Sequence, residues 1–239
     1  MKLTIIETGL VPEPIRDEFE DYPAMFRHMM SGVGAYEFET VSVVKGDALP
    51  EADMLEAVMI TGSPAGVYDD EAWIGPLMDF IRAGAGAGVP QVGICFGHQI
   101  LAEALGGKVV KSDRGWGVGR HTYDVVTCPP FVDLECPPTI SAAVSHQDQV
   151  VALPPGAQVI AASDFTPYAG LYYQEAPALS FQCHPEFQDA YSAALYSLRR
   201  PRLGEKLTDG ALESLELEGD HTRLARWTAQ FLDTHRRMG

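Results

Sequence analysis

Residues 91–107, QVGICFGHQILAEALGG, decide the fold, because they predict an apolar strand, a sharp turn and the start of a helix. Cys95 lies in the turn, between Gly93 and Gly97. This G-x-C-x-G spacing is the thiol counterpart of the nucleophile elbow, in which small residues prevent clashes around a strained turn. The turn places the sulfur at the helix N-terminus, where N–H groups and the helix dipole favour a thiolate. We therefore predict an activated nucleophile at Cys95.

Strands and helices alternate along the first 107 residues of the chain. The predicted strands are KLTIIE, FETVSVV, AVMITG and VPQVGIC, and the predicted helices are DEFEDYPAMFRHMMSG, IGPLMDFIRAG and FGHQILAEALGG. Such alternation is typical of parallel βαβ units with right-handed crossovers. The sequence therefore predicts an α/β fold built on an open, mostly parallel sheet.

The pattern changes after about residue 107. Short strand candidates bounded by turns continue to about residue 187, which predicts an antiparallel strand extension. Helical spacing returns in DAYSAALYSLRR and HTRLARWTAQFLDTHRR, and the polar segment PRLGEKLTDGALESLELEGD between them is compatible with a loop or a helix. We predict a single domain over residues 1–239, with a parallel α/β core at about 1–107, a strand-rich part at about 108–187 and C-terminal helices at about 188–239.

The composition argues against several classes of partner. With 17 basic and 33 acidic residues, the formal net charge of −16 disfavours binding to nucleic acid and to anionic membranes. No segment is apolar over the length that spans a bilayer. The N-terminal MKLTIIETGL is not typical of a secretory signal. We therefore expect a cytoplasmic protein.

The four cysteines, at positions 95, 128, 136 and 183, form neither a C-x-x-C pair nor the His/Cys spacing of a metal site. The sequence predicts no metal and no cofactor. Because cysteines stay reduced in the cytoplasm, we expect Cys128 and Cys136 to be unpaired thiols. Cys183 is expected to pack in the core, since it faces away from its neighbour His184 in an extended segment.

The segment FQCHPEF, residues 181–187, provides the partners that a cysteine nucleophile needs. Residues two apart in an extended segment point to the same side, so Glu186 is expected to contact the ring of His184. Pro185 favours the end of a strand over its middle. The carboxyl edge of a parallel sheet is where ligands bind, and Cys95 lies at the same kind of edge. We predict that His184 is the base and that Glu186 orients it.

Acyl transfer at Cys95 also requires N–H donors for the tetrahedral oxyanion. The N–H of Phe96, next to the nucleophile, is the first candidate. The small-residue turn TGSPAG after the third predicted strand offers a second donor, the N–H of Ser63. His98, in the first turn of the elbow helix, is expected to point away from Cys95 and to take no part in catalysis.

Taken together, these motifs carry a family resemblance. They are GxCxGxQ at 93–99, Gly-Ser-Pro at 62–64, SHQDQV at 145–150 and HPE at 184–186. In this order the chain resembles class I glutamine amidotransferases, and within them the GMP synthase-like group. The resemblance implies a flavodoxin-like open sheet with helices on both faces. It also implies that Cys95 attacks the side-chain amide of glutamine to form a γ-glutamyl thioester, while His184 transfers the proton and Glu186 orients it.

The resemblance further implies a substrate-binding set. Its predicted members are Gly62, Gln99, Gly117 and His146, with Asp148 either in the pocket or in a polar loop. Ser63 departs from many relatives, which have glycine there. Such a serine is tolerable as an oxyanion donor unless the turn demands a positive φ.

Three functions are compatible with these residues. In the first, the protein cleaves the γ-amide of glutamine and passes ammonia to a separate synthetase. In the second, it is a stand-alone γ-glutamyl peptidase that acts on larger γ-glutamyl amides. The third is a non-catalytic or thiol-sensing protein of the same fold, against which the intact Cys95, His184 and Glu186 argue.

Overall fold

The computed structural model describes residues 1–133 and 136–237, and the elbow strand lies inside its main sheet. The strands of the described chain are β1 (Lys2–Glu7), β2 (Glu37–Ser42), β3 (Ala57–Ile60), β4 (Gln91–Ile94), β5 (Lys108–Lys111), β6 (Gly117–Val125), β7 (Thr139–His146), β8 (Asp148–Ala152), β9 (Ala157–Ala162), β10 (Gly170–Tyr173) and β11 (Ala178–Phe181). The α-helices are α1 (Tyr22–Met30), α2 (Ile74–Gly86), α3 (Phe96–Ala104), α4 (Asp189–Leu203), α5 (Glu205–Ser214) and α6 (His221–Thr234).

Nine of these strands form one sheet in the order β2-β1-β3-β4-β11-β10-β9-β6-β7. The half from β2 to β11 pairs in parallel, and from β11 to β7 each strand is antiparallel to the next. Strands β5 and β8 form a separate antiparallel pair. The prediction of an open α/β sheet with an antiparallel extension is confirmed, and β4 and β11 are neighbours.

Apolar side chains cover both faces of the parallel half. Alternation along β3 directs Ala57 and Met59 into one buried cluster and Val58 and Ile60 into another. Residues of α1 and α6 complete the first cluster, and residues of α2 and α3 complete the second. The predicted arrangement of helices on both faces is therefore present, and the carboxyl edge of the sheet is left for a site.

Two helix boundaries differ from the sequence-based expectation. The first helix begins only at Tyr22, because the Asp21 side chain accepts the Ala24 N–H at 2.8 Å and caps it there. The polar segment after the fourth helix, which was compatible with a loop or a helix, is largely helical. Gly204, with φ 84°, separates α4 from α5, and Thr208 Oγ1 donates to its carbonyl at 2.9 Å.

The expectation that Cys128 and Cys136 are unpaired thiols is wrong. The two residues form a disulfide in the connection between β6 and β7. The antiparallel pairing of Asp124 with Thr139 holds the two ends of this connection together, and the cysteine Cα atoms lie 5.7 Å apart. The expectation rested on the cellular compartment, which does not indicate that the fold brings these two cysteines together. Cys95 and Cys183 are buried free thiols.

None of the helices in the described part of the chain has both the length and the apolar character needed to cross a membrane. The single-domain organisation and the cytoplasmic location stay predictions.

The elbow packs so closely that its glycines admit no side chain. A Cβ on Gly97 would overlap the carbonyl oxygen of Ile60 on β3, and a Cβ on Gly93 would overlap the carbonyl oxygen of Gly97. Helix α3 therefore lies as close to the sheet as backbone atoms allow.

This packing predicts unequal effects of two Gly→Ala substitutions in helices. We expect Gly97→Ala to lower the free energy of unfolding by about 1–3 kcal/mol, because its Cβ meets backbone that has nowhere to move. Gly75→Ala in α2 is the matched control, since a Cβ there meets nothing within 4 Å. It should leave stability unchanged or raise it by up to about 1 kcal/mol. Urea denaturation measures both, and equal effects of the two changes would contradict the packing.

Candidate active site

Cys95 lies at the junction of β4 and α3, with a backbone conformation that residues other than glycine rarely adopt. Its φ of 55° is the only positive φ outside glycine among the residues described. Its N–H donates to the Phe181 carbonyl at 2.8 Å, and its carbonyl accepts the Gln99 N–H at 3.0 Å. These bonds to β11 and α3 hold the turn in its strained form. The predicted elbow geometry is present, with the sulfur at the start of α3.

His184 and Glu186 follow β11, the strand beside β4. The His184 N–H donates to the Ala143 carbonyl at 2.8 Å, which fixes the segment against β7. His184 Nδ1 lies 2.7 Å from Glu186 Oε1, and both side chains are buried. The predicted contact between them is thus present, and it leaves Nε2 of the ring for another partner.

The charge state of His184 is set by opposing effects. Burial by itself lowers the pKa of His184, but the hydrogen-bonded Glu186 carboxylate and the nearby Cys95 outweigh it and raise the pKa well above its usual value. The ring of Phe187 stacks on the imidazole with 3.9 Å between centroids and 6° between planes. The site therefore favours an imidazolium held in one orientation beside the sulfur.

Gln182 is a site residue that sequence reasoning missed. Its Nε2 lies 3.6 Å from Cys95 Sγ, and its Oε1 accepts a hydrogen bond from Gln99 Nε2 at 3.1 Å. Gln99 Nε2 also donates to the Asp148 carbonyl at 2.9 Å. The sequence contained a signal, because Gln182 precedes His184 by two residues and side chains two apart in an extended segment point to the same side. In the structure, however, the chain bends after β11 and turns at Pro185 and Glu186.

The turn after β3 comes close to the side chains of Cys95 and His184. A Cβ on Gly62 would lie 3.1 Å from Cε1 of His184. Thr8 Oγ1 lies 2.9 Å from the Thr61 carbonyl and 3.2 Å from the Gly62 carbonyl, which ties the turn to the end of β1. Ser63 does not have a positive φ, so a serine fits the turn without strain.

The two residues predicted to provide oxyanion donors, Phe96 and Ser63, both lie near Cys95. Phe96 is the first residue of α3, where an N–H has no acceptor within the helix. Ser63 lines the same cavities as Cys95. Phe96 is held by α3, and the residues just before Ser63 are held by the Thr8 contacts. Their role as oxyanion donors stays a prediction.

A polar cavity of about 270 Å³ opens over Cys95. We call it the polar cavity. Its charged lining residues are Lys111, Arg199 and Arg202 on one hand and Asp69 and Asp148 on the other. Arg202 lies 4.6 Å and Arg199 5.7 Å from the ring centre of Trp116, which also lines the cavity. Both signs of charge therefore stand within reach of one bound molecule.

The predicted substrate-binding residues are only partly assembled around this cavity. Gln99 and His146 line it, whereas Gly62 lines a neighbouring cavity that also reaches Cys95. Gly117 belongs to neither lining; it pairs with His146 across β6 and β7, and a Cβ there would lie 2.8 Å from Phe165. The adjacent Trp116 takes the position at the cavity wall.

Two further histidines near the elbow are uncharged. Burial lowers the pKa of His146 to about 3, and its Nδ1 donates to the Asp148 carbonyl at 3.1 Å. Burial likewise lowers the pKa of His98 to about 3, and its Nδ1 lies 2.8 Å from Ser180 Oγ on β11. His98 therefore binds the sheet and not the sulfur, whereas neutral His146 presents a polar edge near the polar cavity.

The family model described as glutamine amidotransferase class-I matches residues 23–193, which include the elbow and the segment after β11. The chain belongs to the class-I glutamine amidotransferase family. The predicted resemblance to this family is thereby confirmed.

Curated relatives of this chain include two kinds of enzyme by name. A GMP synthase (glutamine-hydrolyzing) of Aquifex aeolicus is 36% identical over 129 residues, which is 54% of this chain and 24% of that protein. Gamma-glutamyl peptidase 4 of Arabidopsis thaliana is 31% identical over 162 residues, which is 63% of this chain and 62% of that protein. The chain thus spans about a quarter of the first relative and less than two thirds of the second.

A solved glutamine amidotransferase structure from Methylobacillus flagellatus has the same fold. It superposes with a TM-score of 0.78 at 21% identity, covering all of this chain and 96% of the other. The likeness therefore extends over the antiparallel strands and the C-terminal helices as well as the segment matched by the family model.

Replacing Glu186 by Gln tests the electrostatics of the site. Burial then opposes the charged imidazole without the neighbouring carboxylate, so we expect the pKa of His184 to fall by roughly 1–3 pH units. Imidazole NMR signals followed through a pH titration measure this shift. Glu213→Gln, at an exposed position of α5, is the control. A His184 titration curve that stays in place in Glu186→Gln would refute the assigned balance.

The buried His98 predicts a specific loss of stability in acid. The pKa of His98 is about 3 in the folded chain against a usual value of 6.5, so only the unfolded chain takes up a proton between these values. Its contribution to the free energy of unfolding therefore falls, as pH drops from 6.5, by about 1.4 kcal/mol per pH unit. His98→Asn should reduce the pH dependence of the free energy of unfolding by this slope, whatever the stability of the variant at neutral pH. Urea titrations at several pH values test this, with exposed His28→Asn as the control; an unchanged slope in His98→Asn would contradict it.

Proposed function

We propose that this protein hydrolyses γ-glutamyl amides through a thioester on Cys95, with glutamine as the smallest substrate. The observation that carries the proposal is the buried contact of 2.7 Å between His184 and Glu186 beside a cysteine in a strained elbow. A nucleophile, a base and an orienting carboxylate in this arrangement are the components of acyl transfer. Family membership favours the same chemistry.

In the first step, the Cys95 sulfur attacks the γ-carbonyl carbon and forms a C–S bond. The N–H groups of Phe96 and Ser63 are proposed to bind the oxyanion. As the C–N bond breaks, imidazolium of His184 gives its proton to the departing nitrogen. In the second step His184 removes a proton from water, whose oxygen attacks the thioester carbon. As the C–S bond breaks, glutamate is released and His184 returns the proton to the Cys95 sulfur.

We propose that the polar cavity binds the α-amino and α-carboxylate groups of the γ-glutamyl part. These groups carry one positive and one negative charge, which the mixed charges of the lining match. Asp148 is the proposed partner of the amino group, and Lys111 or Arg202 of the carboxylate. Gln99 holds the wall of the cavity in place through its bonds to Gln182 and the Asp148 carbonyl.

Transfer of ammonia to a separate synthetase is the second candidate function. It is favoured by the similarity to a glutamine-hydrolysing GMP synthase, of which this chain matches only about a quarter. Both candidates share the thioester on Cys95. They differ in the leaving group, since a partner-dependent glutaminase releases only ammonia and a peptidase releases a larger amine.

Substitution of the nucleophile tests the shared mechanism. We expect Cys95→Ala to lower glutamate release from glutamine or a γ-glutamyl amide at least about a thousandfold, because no other group can form the thioester. Cys183→Ala is the matched control, because this second buried free thiol lies just before His184 and faces the core. Mass spectrometry should find a γ-glutamyl electrophile on Cys95 alone. Activity that survives Cys95→Ala would overturn the mechanism, and a folded protein that neither turns over nor labels would favour the non-catalytic interpretation.

A further inference from the structure

A second cavity meets the polar cavity at Cys95. It has a volume of about 250 Å³ and lies between the chain after β1, the start of α1 and helix α4. Its wall is mainly apolar and comprises Leu10, Pro12, Tyr22, Phe187 and Leu195. We call it the apolar cavity. Five residues line both cavities and form the boundary between them: Ser63, Pro64, Cys95, Ser145 and Arg199.

The two cavities differ in their access to the base. His184 lines the apolar cavity and not the polar one, and Phe187, stacked on its ring, forms part of the same wall. In the proposed reaction, His184 gives its proton to the nitrogen that departs. The departing nitrogen must therefore lie on the side of Cys95 that faces the apolar cavity, while the glutamyl part occupies the polar one.

We infer that the apolar cavity is the subsite for the leaving amine, and that the preferred substrates are γ-glutamyl dipeptides with an apolar C-terminal residue. This inference rests on the proposed function and names its substrate class. Cleavage breaks the γ-amide C–N bond, moves the His184 proton to the amine, and consumes one water to release glutamate and the apolar amino acid.

The size of the apolar cavity favours a large leaving group over ammonia. A volume of 250 Å³ corresponds to roughly eight waters, at about 30 Å³ for each in the liquid. Ammonia is about the size of one water and would leave most of this space filled by solvent against apolar walls. An aliphatic or aromatic side chain removes that apolar surface from water, which is favourable.

Arg199 supports an amino acid as the leaving group. Apart from His184, it is the only charged side chain that lines the apolar cavity in the described chain. It is held by a hydrogen bond of 2.5 Å to Ser145 Oγ, and no carboxylate of the described chain forms an ion pair with it. Arg199 and Leu195 lie one turn apart on α4, so a carboxylate and an apolar side chain on one molecule meet both.

Steady-state kinetics with matched substrates test the inference. We expect kcat/KM for γ-glutamyl-leucine to exceed that for γ-glutamyl-glycine and for glutamine by at least about tenfold, the gain typical of an apolar side chain in an apolar pocket. Amidation of the leucine carboxylate should remove much of this gain. Equal values for leucine and glycine would overturn the apolar subsite, and equal values for the acid and its amide would overturn the role of Arg199.

A substitution at the mouth of the cavity provides the second test. Leu10 is 37% exposed, so Leu10→Trp narrows the apolar cavity without disturbing the core. It should lower kcat/KM for γ-glutamyl-leucine at least about tenfold more than for glutamine. Leu153→Trp, at a position 36% exposed and outside both cavities, is the matched control and should leave both values unchanged.

The outcomes separate this inference from the proposed function. Glutamine turnover that depends on Cys95, without preference for an apolar leaving residue, would overturn the inference and keep the mechanism. Absence of turnover for every γ-glutamyl compound, together with absence of a covalent adduct on Cys95, would overturn both. A loss in Leu10→Trp that is equal for glutamine and γ-glutamyl-leucine would place the leaving amine elsewhere.

Discussion

The left-handed backbone at Cys95 is the constraint on which the rest of the site depends. A residue with a side chain keeps φ at 55° only when its surroundings hold it there. Here the hydrogen bond to Phe181 comes from one neighbouring strand, and the close packing of Gly97 on Ile60 comes from the other. The parallel trio of β3, β4 and β11 thus fixes the nucleophile, and the same strands end in the Gly62 turn and in the His184 segment. The pairing of these three strands therefore also brings the residues of the site together.

The second requirement of the site is a charged imidazole at His184, although that side chain is buried. His184 and Glu186 are both almost inaccessible to water, and burial alone would discharge the imidazole. The carboxylate 2.7 Å away reverses that preference, and the stacked Phe187 prevents the ring from turning away from Cys95. By contrast, His98 and His146 have no carboxylate at this distance within the described chain, and burial leaves them neutral. The difference between one charged and two neutral histidines therefore comes from the Glu186 carboxylate and Cys95, which lie beside His184 only.

Local features made much of this predictable. The elbow spacing around Cys95, and the two-residue step from His184 to Glu186, are properties of short segments. The structure has the strained elbow and the contact of His184 with Glu186, although that contact is made across a turn and not along an extended strand. Gln182 precedes His184 by the same two residues and was overlooked. Arg199 and the Cys128–Cys136 disulfide could not be predicted in this way, because each depends on parts of the chain that only the fold brings together. Arg199 requires α4 to pack against the end of β7, and the disulfide requires the two ends of the β6–β7 connection to meet. Spacing in the sequence contains no such information.

The boundary between the two cavities, on which Cys95 lies, also orders the two halves of the proposed reaction. The same imidazole must protonate the departing amine and then activate water, so water has to reach the thioester from the apolar side, where His184 lies. While an apolar residue fills that cavity, its bulk keeps water from the acyl carbon. Its departure past half-exposed Leu10 opens the path that water then takes. Hydrolysis therefore follows release of the apolar residue. The faster that residue leaves, the less of the glutamyl group is transferred back to its amine.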